Sequence, residues 1–400
     1  MRQIAVPPRE TAMTASLAAL PGSFGSQRSH RSPGEASRAA PDLFSAPTLT
    51  LHESQGFALG FDYARYQQAL PAPFDAQASA LRDGWLAGRA TMGRRSCEPS
   101  WHVAQWLQLR LHAWLHGRSV EGLQLNASYL RQIAASHCPV TRVALRTSAQ
   151  HGGAAAVVER LRSDAGYAAG HVVSMSSAAS VAKGALDYVE VQAIARRQAH
   201  NPLAYAAGFS AGVAQGLTAE QWARMAVLCS FVQPLSHEEA SAIPMLVLPP
   251  NRVRLFNPAQ ALQAWVSRQL LHAGWSQRFA RFGALLPTAS TRQSFQLLVH
   301  AMLPRVLAAG RDAQGVALRW AVEDAWLDAR VQQRWQAFAG SLTPAHCESL
   351  VLRASARGLG TGRVVSQSPA VATEGWALET RGYVPHRLVS RPMAQAQRAA

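Results

Sequence analysis

Apolar residues recur at three- and four-residue spacing over most of the chain from about residue 100 to residue 357, a pattern that predicts helices. From Trp101 to His116 the spacing runs through Val103, Trp106, Leu107, Leu109, Trp114 and Leu115, and Gly117 supplies the stop. Arg110, His112 and Arg118 lie on or beside that helix as a wet basic edge. Asn126 can cap a short helix reaching Ser136. Beyond residue 200 the helix starts are written out. Thr218-Ala-Glu-Gln221 is a capping box ahead of Trp222, Met225, Ala226 and Cys229. Asn257-Pro258 places a cap and a first-turn proline ahead of Leu262, Trp265, Val266 and Leu270. Further helices are expected over 295–307, with a kink or break at Pro304, over 316–338, and from Thr343 to about Arg357. Gly310, Gly340 and Gly358 stand at their stops. The stretch from Ile243 to Pro250, bounded by prolines, reads as extended linker or edge strand.

The helical pattern breaks between His137 and Lys183. Cys138-Pro139 is followed by a loop containing Gly152 and Gly153, and then Val157 to Leu161 reads as a short strand. Arg162 to Gly170 reads as a turn and His171 to Met175 as the returning strand. Ser176 or Ser177 can cap a helix that passes through Ser180 and Lys183. Strand, turn, strand and helix in under fifty residues make a ββα unit.

The two ends differ from the middle. Residues 1–46 are rich in Pro, Ser, Ala, Gly and Arg and cannot bury enough surface to offset their ordering entropy, so a disordered arm is expected. Residues 358–400 look similar and are expected to form a disordered basic tail. The fold class this implies is mainly α with a small α+β (ββα) element. An α+β domain is expected over 47–200, with the ββα unit at 137–184, followed by an all-α domain over 201–357.

Composition narrows the function. With 48% apolar residues, 400 residues can bury a sizeable core. A formal charge of +16 favours an acidic partner such as nucleic acid. All but one of the 39 basic residues are Arg, and the single lysine, Lys183, falls inside the ββα unit. Cys97, Cys138, Cys229 and Cys347 form no C-x-x-C pair, which excludes a zinc ribbon and a disulfide framework. No apolar run suits a signal peptide or a membrane span, so no membrane partner and a cytoplasmic location are expected.

The segment 137–184 resembles the HNH-type (ββα-metal) endonuclease motif, in the variant that opens with Cys-Pro. Glu159-Arg160-Leu161 stands where that pattern has D-R-I, Gly166-Tyr167 where it has G-Y, and Gly170-His171-Val172 where it has G-N-V. Ser180 and Lys183 stand for the helical N…K. The resemblance implies one divalent ion, Mg²⁺ or Mn²⁺, beside a scissile phosphate, held by Glu159 and Ser180. It further implies an imidazole to deprotonate the attacking water, with basic residues at Arg160, Arg162 and Lys183 to hold nucleic acid. The chain departs from the pattern at each critical slot. Arg160 fills the place of the general-base His and cannot take a proton from water. That leaves His171 as the only imidazole that the motif positions to act as base. Ser180 offers a neutral hydroxyl, a poor ligand for Mg²⁺. Three readings follow: a rearranged active site with His171 as base, a scaffold that keeps fold and phosphate affinity without catalysis, or an ordinary hairpin. The second is favoured.

The functional expectation is therefore a nucleic-acid-associated protein related to HNH endonucleases and impaired in catalysis, with DNA favoured over RNA. The alternative is a helical interaction or adaptor protein with no nucleic-acid chemistry. Other motifs offer less. His237-Glu238-Glu239 is followed by Ser241 where zinc chemistry would need a second His. Gly208 to Gly212 fits G-x-S-x-G by letter but lacks the strand a nucleophile elbow needs.

Overall fold

Short polar side chains set most of the helix starts. The computed structural model describes residues 49–92, 99–147, 149–200, 216–308, 315–360, 364–385 and 388–389. The expected arm at 1–46, the Gly208–Gly212 motif and the stop at Gly310 lie outside these residues. Thr50 ends β1 (Leu49–Thr50) and opens α1 (Leu51–Arg65) with a capping box closed by Glu53. Helix α2 (Ala80–Met92) follows, and then Ser100 caps α3 (Trp101–Leu115) by accepting from Val103 N. Asn126 caps α4 (Ala127–Ile133), which ends three residues before the expected Ser136, because Ala134 leaves the helical conformation at ψ 132°. The ββα unit comes next, as β2 (Ala156–Arg160), β3 (Val172–Ser176) and α5 (Ser177–Lys183), and after it α6 (Tyr188–His200).

The remaining helices are α7 (Ala219–Ser230), α8 (His237–Ala242), α9 (Pro258–Gln269), α10 (Trp275–Gly283), α11 (Ala289–Ala308), α12 (Gly315–Ala325), α13 (Ala329–Gly340), α14 (Pro344–Ala356) and α15 (Pro369–Ala372). The last strand, β4 (Leu388–Val389), pairs antiparallel with β1. The chain is mainly helical with a small two-stranded antiparallel element, as its apolar spacing implies. Two expectations need correction. Helix α11 continues through Pro304, so the proline does not end it. The span 316–338 is two helices, because Asp328 accepts from Arg330 N and starts a second one after Trp326 is drawn into the core.

Glycine lets α1 and α2 touch backbone to backbone. A methyl at Gly60 would lie 1.8 Å from Leu81 O, and one at Gly84 would lie 1.9 Å from Phe57 O. Leu59, Tyr63, Leu81 and Leu107 fill the small core between this pair and α3. A second small core joins α3 and α4 to one face of the hairpin through Leu109, Ile133, Tyr167 and Val172. The opposite face, with Val173 and Met175, belongs to the large core built by the later helices. The hairpin is therefore a seam between two cores, and every residue of β3 is buried.

The large core also crosses the expected division near residue 200. It runs from Cys138 and Val173 through Trp222, Trp265 and Trp335 to Trp376. Its last member corrects the expectation of a disordered tail from 358: residues 364–385 fold back, and Val364, Ala372 and Trp376 are buried. Trp376 donates from its indole to Ala169 O at 3.0 Å and accepts at its own carbonyl from Gly166 N at 2.8 Å. The stretch Ile243 to Pro250 is irregular, with bends at Ile243, Leu246 and Val247, is mostly buried, and pairs with no strand among the described residues.

Candidate functional site

The antiparallel register sets Val157 opposite Met175, Glu159 opposite Val173 and Arg160 opposite Val172. Side chains alternate along a strand, so Glu159 and Arg160 leave opposite faces. Ser176 ends β3 and caps α5 by accepting from Ala179 N at 3.3 Å. Cys138 braces that junction, because its sulfur accepts from Ser176 Oγ at 3.3 Å and from Thr141 N at 3.4 Å. The opening Cys-Pro is thus a tight turn clamped to the start of the helix, which fixes the direction in which α5 leaves the hairpin.

That direction puts Ser180 and Lys183 on one helix face, three residues apart, against Glu159. Ser180 Oγ donates to Glu159 Oε2 at 2.5 Å. Lys183 Nζ lies 3.7 Å from Glu159 Oε1, which also accepts from Arg160 N at 3.0 Å. Lys183 is 1% exposed and Glu159 is 15% exposed. Three of the predicted site residues therefore converge, but as an internal ion pair. The ammonium stands against the carboxylate, where a divalent ion would have to sit.

This donor set does not fit Mg²⁺ or Mn²⁺. One carboxylate is present, both of its oxygens are engaged, and a buried ammonium beside it would repel a second cation. Among the described residues no three His, Cys, Asp or Glu side chains gather as a metal group. Lys183, expected to touch phosphate, has no exposed charge to offer.

His171 is brought to neither group. It is fully buried, its ring lies 4.2 Å from that of Trp376, and neither ring nitrogen has a hydrogen-bond partner. Burial pushes its pKa down to about 3, and the positive charges of Arg160, Arg162 and Lys183 push the same way. The Gly166 backbone pulls the other way, though neither ring nitrogen makes a hydrogen bond of normal geometry. An imidazole sealed under Trp376 cannot take a proton from attacking water, so the role of general base expected for His171 is corrected.

Basic side chains gather instead on the outer side of the hairpin, where Arg160 meets α3. Arg160 lies over the Tyr167 ring at 5.0 Å and donates to Ser163 O at 3.3 Å and to Ala165 O. The Tyr167 hydroxyl is 3.2 Å from His112 Nδ1, and the His112 and His116 rings are 4.2 Å apart. Arg118 lies 3.9 Å over Tyr383 and donates to Arg381 O at 3.0 Å. Partial burial lowers the pKa of His112, and neighbouring His116, Arg160 and Arg118 lower it further against the pull of Glu159. Burial and the charge of Arg160 likewise lower that of Arg118. Among the described residues none of these four side chains makes an ion pair with a carboxylate. Arg162 differs, because it is spent on Asp164.

His112 and Arg118 are visible in the sequence as the wet edge of a helix, yet nothing in their spacing tells that Arg160 folds against them. Tyr383 and Trp376 sit in a stretch whose composition reads as tail, and the bulk of the tryptophan is the only signal there. Comparison with protein-family models, curated proteins and solved structures finds no match to this chain.

Proposed function

We propose that this chain is a nucleic-acid-associated protein, related to HNH endonucleases, whose ββα unit holds phosphate and does not cleave it. The observation that carries this reading is the group of Arg118, Arg160, His112 and His116 on the outer side of the hairpin, with no carboxylate among the described residues paired to any of them. Guanidinium groups left without a carboxylate partner are free to engage phosphate, and each such contact releases condensed counterions from the nucleic acid. The formal charge of +16 adds a long-range field of the same sign.

The inner face of the same unit accounts for the missing catalysis. Glu159 is neutralised from within by Lys183 and Ser180, and His171 is sealed beneath Trp376. No group is left to hold a divalent ion or to activate water, while the hairpin and helix that present Arg160 remain. DNA is favoured over RNA as the partner.

Titration of labelled duplex and single-stranded DNA across a salt series tests the binding, and incubation of supercoiled plasmid with Mg²⁺ or Mn²⁺ tests the chemistry. Affinity should fall steeply as salt rises, and the plasmid should stay intact. Absence of binding at low salt would favour a helical adaptor whose basicity serves only solubility. Metal-dependent nicking abolished by Glu159→Ala would restore the active-site reading.

A further inference from the structure

A second group of guanidinium side chains surrounds a cleft of about 660 Å³ whose lining includes none of Arg118, Arg160, His112 and His116. Its walls come from α4, the turn before β3, the stretch 249–255, α9 and the returning segment at 364–367. Arg252, Arg254 and Arg268 line it, and no Asp or Glu does. Among the described residues none of the three is in an ion pair. Their hydrogen bonds go to neutral acceptors: Arg268 to Pro249 O at 2.9 Å, and Arg254 to Gln124 Oε1 at 2.9 Å and to Ala372 O.

Placing Arg268 here carries a cost. Burial and the nearby Arg319 guanidinium lower the pKa of Arg268. Arg319 itself is paired with Glu323 at 2.9 Å, so that carboxylate is not spare for Arg268. Arg254 is packed against Gly170, where a methyl would lie 2.4 Å from its Cδ, so the glycine at φ +101° is what admits the arginine to the cleft. Arg252 sits in the left-handed region at φ +68° and is exposed at the rim. The fold thus spends a strained residue and a close glycine approach to bring arginines to the cleft, and an anion there would offset the cost of burying Arg268 beside Arg319.

The shape and the neutral lining narrow the anion. A single carboxylate is far smaller than this volume, whereas ligand clefts of roughly 300–1,000 Å³ hold nucleotide-sized molecules. Guanidinium forks match phosphate oxygens in pairs. Asn251, Gln132 and Gln367 add amides that both donate and accept, suited to hydroxyls or base edges. The Tyr129 hydroxyl accepts from Gly170 N at 2.7 Å and donates to Arg252 O at 3.5 Å, so it ties the turn before β3 to the arginine-bearing stretch.

We infer that this cleft binds the phosphate groups of a nucleotide-sized ligand through Arg252, Arg254 and Arg268. The site stands apart from the Arg118–Arg160 group and does not depend on the ββα unit holding DNA. The test is calorimetric titration of the full chain at fixed ionic strength with inorganic pyrophosphate, with ATP, and with a short oligothymidylate. The proteins compared are the wild type, Arg252→Gln, Arg268→Gln and the double variant Arg118→Gln/Arg160→Gln. Arg252 is exposed, so its variant should fold whether or not the Arg268 variant does, and a melting curve checks each. Pyrophosphate and ATP should bind the wild type, roughly tenfold more weakly to Arg252→Gln, and unchanged to the Arg118/Arg160 variant. If only the oligothymidylate binds, and binds through Arg252, the phosphate is that of a nucleic acid in the same cleft. No binding by any probe, or binding that Arg252→Gln and Arg268→Gln both leave intact, would overturn the inference.

Discussion

Lys183 and Glu159 show how much one pair of residues decides. The pair is buried at its lysine end, and removing one partner strands the other. Lys183→Met should therefore cost roughly 3 kcal/mol in urea denaturation, and Glu159→Gln a comparable amount. The double variant should lose less than the sum of the two. Strict additivity would mean that the two side chains do not interact. Because the ammonium faces inward, Lys183→Met should leave DNA affinity in any refolded protein unchanged. His171 gives a pH signature of its own. Its pKa is depressed to about 3 in the fold, so below its ordinary value of 6.5 the unfolded chain takes up a proton that the native chain refuses. Its contribution is complete above pH 6.5 and is lost as pH falls toward 3, with roughly 2 kcal/mol gone between pH 6.5 and 5. Stability measured over that range should fall less steeply in His171→Leu, and superimposable curves would refute the burial. Residue identity alone hid both facts: the sequence marks His171 and Lys183 as chemical groups, but a strand's parity and a distant tryptophan decide that both face inward.

Among the elements, the α1–α2 pair is the most sensitive to a single methyl. Gly84→Ala would press a Cβ onto the Phe57 carbonyl, where no rotamer can relieve it, and the helices would have to part. A loss of roughly 3 kcal/mol, read as a lower melting temperature, is expected, while Gly122→Ala, which meets nothing within 4 Å, should cost far less. This hairpin was not legible from apolar spacing, because its contact is backbone on backbone and needs no large side chain. The ββα unit, by contrast, was legible in layout. Alternating Val157 and Glu159, then Val173 and Met175, flank a turn and lead to a serine cap, and the register of β2 with β3 follows. The starts of α7 and α9 were legible too, since Thr218 closes a capping box and Asn257-Pro258 sets a first-turn proline, although the Asn257 side chain does not itself cap the helix. Of the kink or break expected at Pro304 the break is absent, because α11 runs on through it, and Asp328 was missed as a cap in mid-pattern.

At the scale of the whole molecule, the segment 364–385 closes the structure over the hairpin. Trp376 covers His171, stacks near Phe256 and bonds to Ala169 and Gly166. Trp376→Ala should cost roughly 3–5 kcal/mol, and a chain truncated after Arg357 should not fold, measured by near-ultraviolet circular dichroism and urea unfolding. Composition could not reveal this, since the flanking Gly and Arg residues read as solvated chain. The same closure brings Tyr383 to Arg118 and completes the basic surface beside Arg160. DNA affinity measured across a salt series, wild type against Arg118→Gln/Arg160→Gln with folding checked by melting, tests that surface most directly. If these arginines hold phosphate, the logarithm of affinity should fall linearly with that of salt, and the double variant's slope should be shallower by about two. Equal slopes for the two folded proteins, or no binding by the wild type at low salt, would contradict a phosphate-holding hairpin.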